Sequence, residues 1–228
     1  MLKIGHRGAK GYAAENTLAS FEKALDFNVD GIELDVHMSS DGHIVVIHDE
    51  TLDRTTNAKG FVNQFSLHEL KALQIEGRHE IPTLEEVFEL VDQKVFINIE
   101  LKGNDTAKPV LALIEKYTSE KNWRFDAYAK FLVSSFDWNA LQDIQTLNPK
   151  IPLGVLTATD IDLAIGFATF IKARSIHPYF HLLTHENVRA MQQKGFEVFA
   201  WTVNEMEDIE KIKTFEVNGI ITDFPDKI

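Results

Sequence analysis

Eight short runs rich in β-branched and other apolar residues recur along the chain, at residues 3–6, 31–38, 95–102, 131–136, 153–157, 175–178, 198–203 and 219–222. Stretches of helical period lie between them, at residues 16–27, 84–91, 107–117, 138–147, 161–170, 185–194 and 205–215. Alternation of this kind builds parallel βαβ units, because two parallel neighbours need a crossover and a helix makes it compactly. Eight such strands in 228 residues predict a (β/α)8 TIM barrel rather than an open doubly wound sheet. Few residues follow the last strand, so no full eighth helix is expected after it. Residues 50–78 break the alternation and are expected to form a short capping insertion over one barrel end. Residues 1–228 are expected to form a single domain, with 44% hydrophobic content to fill its core.

The second run, GIELDVHM, breaks the apolar rule for a strand buried on both faces. Side chains alternate along a strand, so Glu33, Asp35 and His37 share one face while Ile32, Leu34 and Val36 share the other. The third run repeats the device, with Asn98, Glu100 and Lys102 opposite Ile97, Ile99 and Leu101. In a barrel the apolar sets pack on helices and the polar sets point inward. Buried acids cost several kcal/mol each if unpaired, roughly, so a compensating charge is required. A divalent metal ion is the simplest one; a structural ion-pair network is the alternative, although Lys102 alone cannot neutralise three carboxylates.

Polar residues recur where the strands finish: His6 with Arg7, Glu33 with Asp35, Glu100 with Lys102, Ser134 with Ser135, His177, Trp201 and Asp223. Barrel enzymes carry their sites at that carboxyl-terminal face. Asp41–Gly42–His43 reads as a tight turn rather than a metal loop. Asn16 is a candidate cap for the first helix, and Asp223 is either a partner to a site residue or a turn residue before Pro225.

Composition restricts the partners. With 23 lysines and arginines against 35 acids, the net charge of -12 disfavours nucleic acid and anionic membranes. An anionic substrate must then be held by local cations such as Arg7 and Lys102. The chain has no cysteine, so a metal would be bound by oxygen or imidazole, and carboxylates suit hard cations. No apolar run approaches membrane-spanning length and no signal segment is read at the amino end, so a cytoplasmic location without stable membrane association is expected.

The segments HRGAKGYAAENTLASFEKAL, GIELDVHMSSDGHIVVIHDETLDRTT, INIELKG, AWTVN and GIITDFPD, in that order, resemble the glycerophosphodiester phosphodiesterase family of the bacterial cytosolic type. The resemblance implies a (β/α)8 barrel hydrolase that uses one divalent cation (magnesium, calcium or manganese) to convert small glycerophosphodiesters to sn-glycerol 3-phosphate and an alcohol. Carried over by motif, Glu33, Asp35 and Glu100 are the metal ligands, and His6 and His48 the catalytic acid and base. Arg7 and Lys102 would bind the phosphate, Asn16 would orient His6 or the phosphate, and Trp201 would pack against the glycerol. The chemistry agrees with these types: imidazoles move protons near neutrality, and the cations stabilise charge on phosphoryl oxygens. Two other readings are a related barrel phospholipase, which needs an exposed hydrophobic rim, and a catalytically inactive glycerophosphodiester-binding barrel, which would be expected to have lost at least one of these residues. His37 is expected at the rim or behind the site.

Overall fold

The computed structural model describes residues 1–120 and 126–228. Eight parallel strands close into a barrel: β1 (Leu2–Gly5), β2 (Gly31–Met38), β4 (Phe96–Leu101), β5 (Phe131–Ser135), β6 (Leu153–Thr157), β7 (Ser175–Pro178), β8 (Glu197–Ala200) and β9 (Gly219–Thr222). Pairing of β1 with both β9 and β2 closes the ring. A further strand, β3 (Ile44–Val46), is antiparallel to the outer end of β2. It was absent from the sequence expectation, which had only the turn at Gly42, where φ is 87°.

The helices α1 (Leu18–Asp26), α3 (Leu84–Val91), α4 (Ala107–Glu120), α5 (Trp138–Leu147), α6 (Ile161–Phe170), α7 (His185–Gln193) and α8 (Met206–Thr214) surround the barrel, close to the expected spans. Their starts are set by local chemistry. Thr83 and Glu86 form a reciprocal capping box at α3, Thr184 and Asn187 do so at α7, and Asp137 and Asp160 cap α5 and α6. The expectation for Asn16 is corrected here: Thr17 is the N-cap of α1, its hydroxyl accepting from the Ser20 N–H at 3.2 Å, and Asn16 serves the site instead. After the last strand comes only a one-turn 3-10 helix, Pro225–Lys227.

The alternation along the strands sorts the core. Ile32, Leu34, Val36, Ile97, Ile99 and Leu101 face the helices in the main hydrophobic cluster. Inside the barrel, Ile4, Leu132, Phe199 and Ile221 pack with Leu2, Phe96 and Trp201. That apolar plug leaves the carboxyl-terminal end for polar groups. The insertion after β3 has its own small core, in which Leu52, Val62, Leu70 and Ile75 pack on Ala14, Val45, Ile47 and Ile81. It contains the short helix α2 (Leu67–Lys71), begun by a Ser66–Glu69 capping box. Its rigid seat on β3 and on the segment before α1 holds it against the site end of the barrel. No helix among the described residues is long and apolar enough to cross a membrane.

Candidate active site

Strand register brings the acids together. Parallel pairing sets Asp35 of β2 opposite Glu100 of β4 and Glu33 opposite Asn98. Glu33, Asp35 and Glu100 are 3%, 1% and 8% exposed, and one carboxylate oxygen of each lies within 4.8 Å of the others. Burial, then the neighbouring carboxylates, raises Glu33 well above the usual carboxylate range, and burial followed by the Asp35 charge raises Glu100. Carboxylates this close repel one another, and a cation among them would relieve that repulsion. Oε1 of Glu33 is buried without a hydrogen-bond partner among the described residues. An all-oxygen donor set with an orphaned oxygen fits a hard divalent cation, and these three residues would hold it.

Two cations lie beside the triad, and both are already engaged by acids. Lys102 Nζ is 2.8 Å from Glu100 and 3.8 Å from Asp35. Arg7 donates its backbone N–H to Glu33 Oε2 at 2.9 Å, and its guanidinium lies 2.8 Å from Glu15 and 3.3 Å from Asp35. The Arg7 backbone is left-handed, at φ 51°. It is held there because its carbonyl accepts from Ser20 Oγ and from the Asn16 N–H. Non-glycine residues in this region are uncommon and cluster where a site imposes the geometry. Gly8 follows at φ 85°, where a β-carbon would stand 2.4 Å from Ser20 Oγ and 2.6 Å from its carbonyl carbon, so the turn after His6 and Arg7 requires glycine. Asn16, also left-handed, donates Nδ2 to Asp35 Oδ2 at 2.9 Å and accepts from the Asp35 N–H at 3.4 Å. It therefore orients a triad acid; among its hydrogen bonds none reaches His6.

The two histidines each lean on an aspartate. His6 Nδ1 is 2.6 Å from Asp223 Oδ1, and His48 Nδ1 is 2.6 Å from Asp49 Oδ1. With both Nδ1 atoms engaged by aspartates, Nε2 is the nitrogen these contacts leave open at each ring. Burial is the largest influence on both and lowers them below the ordinary imidazole value, against the upward pull of Asp223 on His6 and of Asp35 and Asp49 on His48. Asp223 is in turn gripped by Asn204, whose Nδ2 donates to its Oδ2 at 2.9 Å. Asp49 is gripped by Arg54, which spans to Glu15: Nε and Nη2 meet Asp49 at 2.6 and 3.0 Å, while Nη1 and Nη2 meet Glu15 at 3.0 and 2.7 Å. The Arg54 and Arg7 contacts hold Glu15 down to about 2, against burial.

His6, Arg7, Glu33, His48, Asn98, Glu100, Lys102, Phe136 and Trp201 thus line one cavity at the carboxyl-terminal end of the barrel. Phe136 and Trp201 form its apolar wall, edge to face with centroids 5.5 Å apart, and Trp201 Nε1 donates to the His177 carbonyl at 2.7 Å. Of the remaining histidines, His37 is buried outside the cavity lining, with Nε2 3.1 Å from the His48 carbonyl. His177 is wholly buried in the barrel against Ser175, and burial pushes it down to about 3, so it is neutral and structural. Asp49, Arg54, Asn204 and Phe136 were not singled out from the sequence. The available signal was that Asp49 and Arg54 fall within the HDETLDR stretch and Asn204 ends AWTVN.

Comparison with known proteins agrees over the full length. Residues 6–227 match the model of the glycerophosphoryl diester phosphodiesterase family. The chain is similar to glycerophosphodiester phosphodiesterases of Caldanaerobacter subterraneus (38% identical) and Bacillus altitudinis (41% identical), covering 100% of this chain and 96% of each relative. Among solved structures, a phosphodiesterase of Oleispira antarctica in complex with the product sn-glycerol-3-phosphate superposes with a TM-score of 0.89 at 29% identity, covering 99% of this chain and 94% of the other. The Thermotoga maritima glycerophosphodiester phosphodiesterase gives 0.83 at 31% identity, covering 99% and 96%.

Proposed function

The chain belongs to the glycerophosphoryl diester phosphodiesterase family, and from that premise we propose that it hydrolyses soluble glycerophosphodiesters to sn-glycerol 3-phosphate and an alcohol in a metal-dependent reaction, with His6 and His48 as the proton-transfer pair. The observation that carries this reading is the convergence, in one cavity, of the acid triad with two aspartate-backed histidines. A divalent cation held by Glu33, Asp35 and Glu100 supplies positive charge for phosphoryl oxygens; magnesium, calcium and manganese all suit that donor set.

The protein groups do the rest. Arg7 and Lys102 flank the triad and add fixed positive charge on the cavity wall, where they can meet phosphate oxygens without moving far from their acids. One histidine enters neutral and suits proton abstraction from a hydroxyl, the other enters as imidazolium and holds the proton for the leaving group, and Asp223 and Asp49 stabilise the imidazolium form of each ring. In our reading the glycerol 2-hydroxyl attacks phosphorus, its proton passes to one histidine, and the departing alkoxide takes a proton from the other. Water then opens the cyclic phosphate by the reverse sequence. The Trp201 and Phe136 wall accommodates the glycerol carbons. A cytoplasmic location, without stable membrane association, belongs to the same proposal.

The test is release of glycerol 3-phosphate from glycerophosphocholine and glycerophosphoethanolamine, with and without chelator. Turnover that stops with chelator and returns with a divalent ion is expected. No turnover of any diester with several divalent metals would overturn the reading. Rapid-quench phosphorus NMR that finds no cyclic phosphate would replace attack by the 2-hydroxyl with direct attack by water.

A further inference from the structure

A second groove, of about 260 Å³, shares Lys102 with the catalytic cavity. Its walls are the β4–α4 connection, with Gly103, Asn104 and Asp105, and the insertion, with Glu50, Phe61 and Asn63. Its floor is His37 and Met38. The insertion reaches this groove from the same turn that carries His48, two residues before Glu50. Lys102 thus joins the groove to the cavity that Phe136 and Trp201 also line.

The lining has a definite chemistry. Glu50 and Asp105 are both exposed, and among the described residues neither carboxylate is engaged by a cation or by a hydrogen-bond donor. Phe61 is 45% exposed and lines the same groove as the two acids. The ammonium of Lys102, at the junction, is committed to Glu100 and Asp35 and does not neutralise the rim. Unpaired acids at the entrance of a protein with net charge -12 repel the phosphate of an incoming diester. They attract a substrate whose alcohol is positively charged, and an aromatic face beside them adds cation–π attraction for an ammonium or its methyl groups.

We infer that this outer groove is the alcohol subsite and selects diesters whose alcohol carries a primary or quaternary ammonium group, through Glu50, Asp105 and Phe61. The inference rests on the phosphodiesterase reading above and adds a substrate class to it. Exposed ionic and cation–aromatic contacts each contribute a few-fold, so together they should give about a tenfold preference.

The experiment compares kcat/KM for glycerophosphocholine and glycerophosphoethanolamine with that for glycerophosphoglycerol, whose alcohol is uncharged. The expected result is a ratio of about ten at low salt that narrows as salt rises. The double variant Glu50→Gln, Asp105→Asn should bring the ratio close to one, and Phe61→Leu should lower it several-fold. Both charge positions tolerate the change, since the side chains are exposed and Asp105 has a left-handed backbone, φ 59°, that asparagine also adopts. A wild-type ratio of one, or a ratio unchanged in the double variant, overturns the inference. Complete absence of turnover would sink the phosphodiesterase reading by itself. Calorimetric binding of the same three diesters would then decide the groove: tighter binding of the cationic pair, weakened in the double variant, upholds it, and equal binding overturns it.

Discussion

Replacing Asp223 by asparagine keeps the shape of the side chain and removes its charge, which isolates what the carboxylate does for His6. In the structure His6 is under opposed influences: burial lowers it most, the Asp223 hydrogen bond and charge raise it, Arg7 lowers it, and Asp35 raises it. Asparagine removes the charge and weakens the hydrogen bond, two of the three raising effects. A charge-assisted hydrogen bond of 2.6 Å has a net worth of about 1.5–3 kcal/mol. If most of that favours imidazolium over imidazole, His6 falls by about one to two pKa units at 1.36 kcal/mol per unit. The limb of the pH–rate profile that His6 governs should move down by that amount, whichever step the ring serves. The rate should fall by about tenfold to a hundredfold, because the amide no longer stabilises the imidazolium and can hold the ring in the wrong tautomer. The assay is kcat and kcat/KM for glycerophosphocholine across pH, with thermal melts and a metal titration as controls on fold and triad. A matched variant, Asp49→Asn, should displace the other limb through His48. A rate loss with both limbs unmoved would reduce Asp223 to a packing role, and wild-type kinetics would show that His6 transfers no proton.

Glu100→Gln should abolish the thermal stabilisation that divalent ions confer, about 2.7 kcal/mol at a hundredfold excess over Kd, whereas His48→Ala should abolish turnover and keep that stabilisation; equal loss in both variants would refute the division of roles. Arg54→Lys retains charge but loses the forked pairing to Asp49 and Glu15, so turnover should drop about tenfold while the metal-induced shift in melting temperature persists, and a wild-type rate would show that Asp49 needs no support. In chelator, Glu33 and Glu100 hold protons in the folded state that they release in the unfolded chain, because their folded values are raised above 4.5. At these two groups the folded state then binds more protons, so the stability they contribute is greatest at low pH and falls as pH rises from the unfolded value through the folded one. Urea melts should show that fall in the metal-free protein between about pH 5 and pH 8 and a flatter profile with excess divalent ion; a flat metal-free profile would argue against the crowded triad.

The parts of the site that were legible in the sequence are those that violate a rule of their surroundings. Glu33, Asp35 and Glu100 stand in strands whose opposite face is apolar throughout, and the period of two then tells which face they share, so register needed only the barrel to bring them together. His6, Trp201 and Asp223 were legible because they follow strand ends, where barrel topology converges. The supports were not legible for the opposite reason. Asp49, Arg54 and Asn204 are polar residues in loops, where polar residues are the norm, and their partners are chosen by tertiary geometry: Arg54 reaches Glu15 across 39 positions and Asn204 reaches Asp223 across 19. Asn16 and Thr17 are both good caps by type, and local propensity cannot tell which one the Asp35 carboxylate will claim. The strand β3 spans three residues and α2 five, too short for periodicity to register, yet His48 follows β3 by two residues and Phe61 belongs to the same insertion as α2. The barrel and its acids thus follow from pattern, while the posture of each histidine depends on pairings between distant segments. Variants that disturb Asp223, Asp49 or Arg54 should consequently leave the fold and the metal site intact while slowing the chemistry, a separation that a purely local account of the sequence has no means to produce.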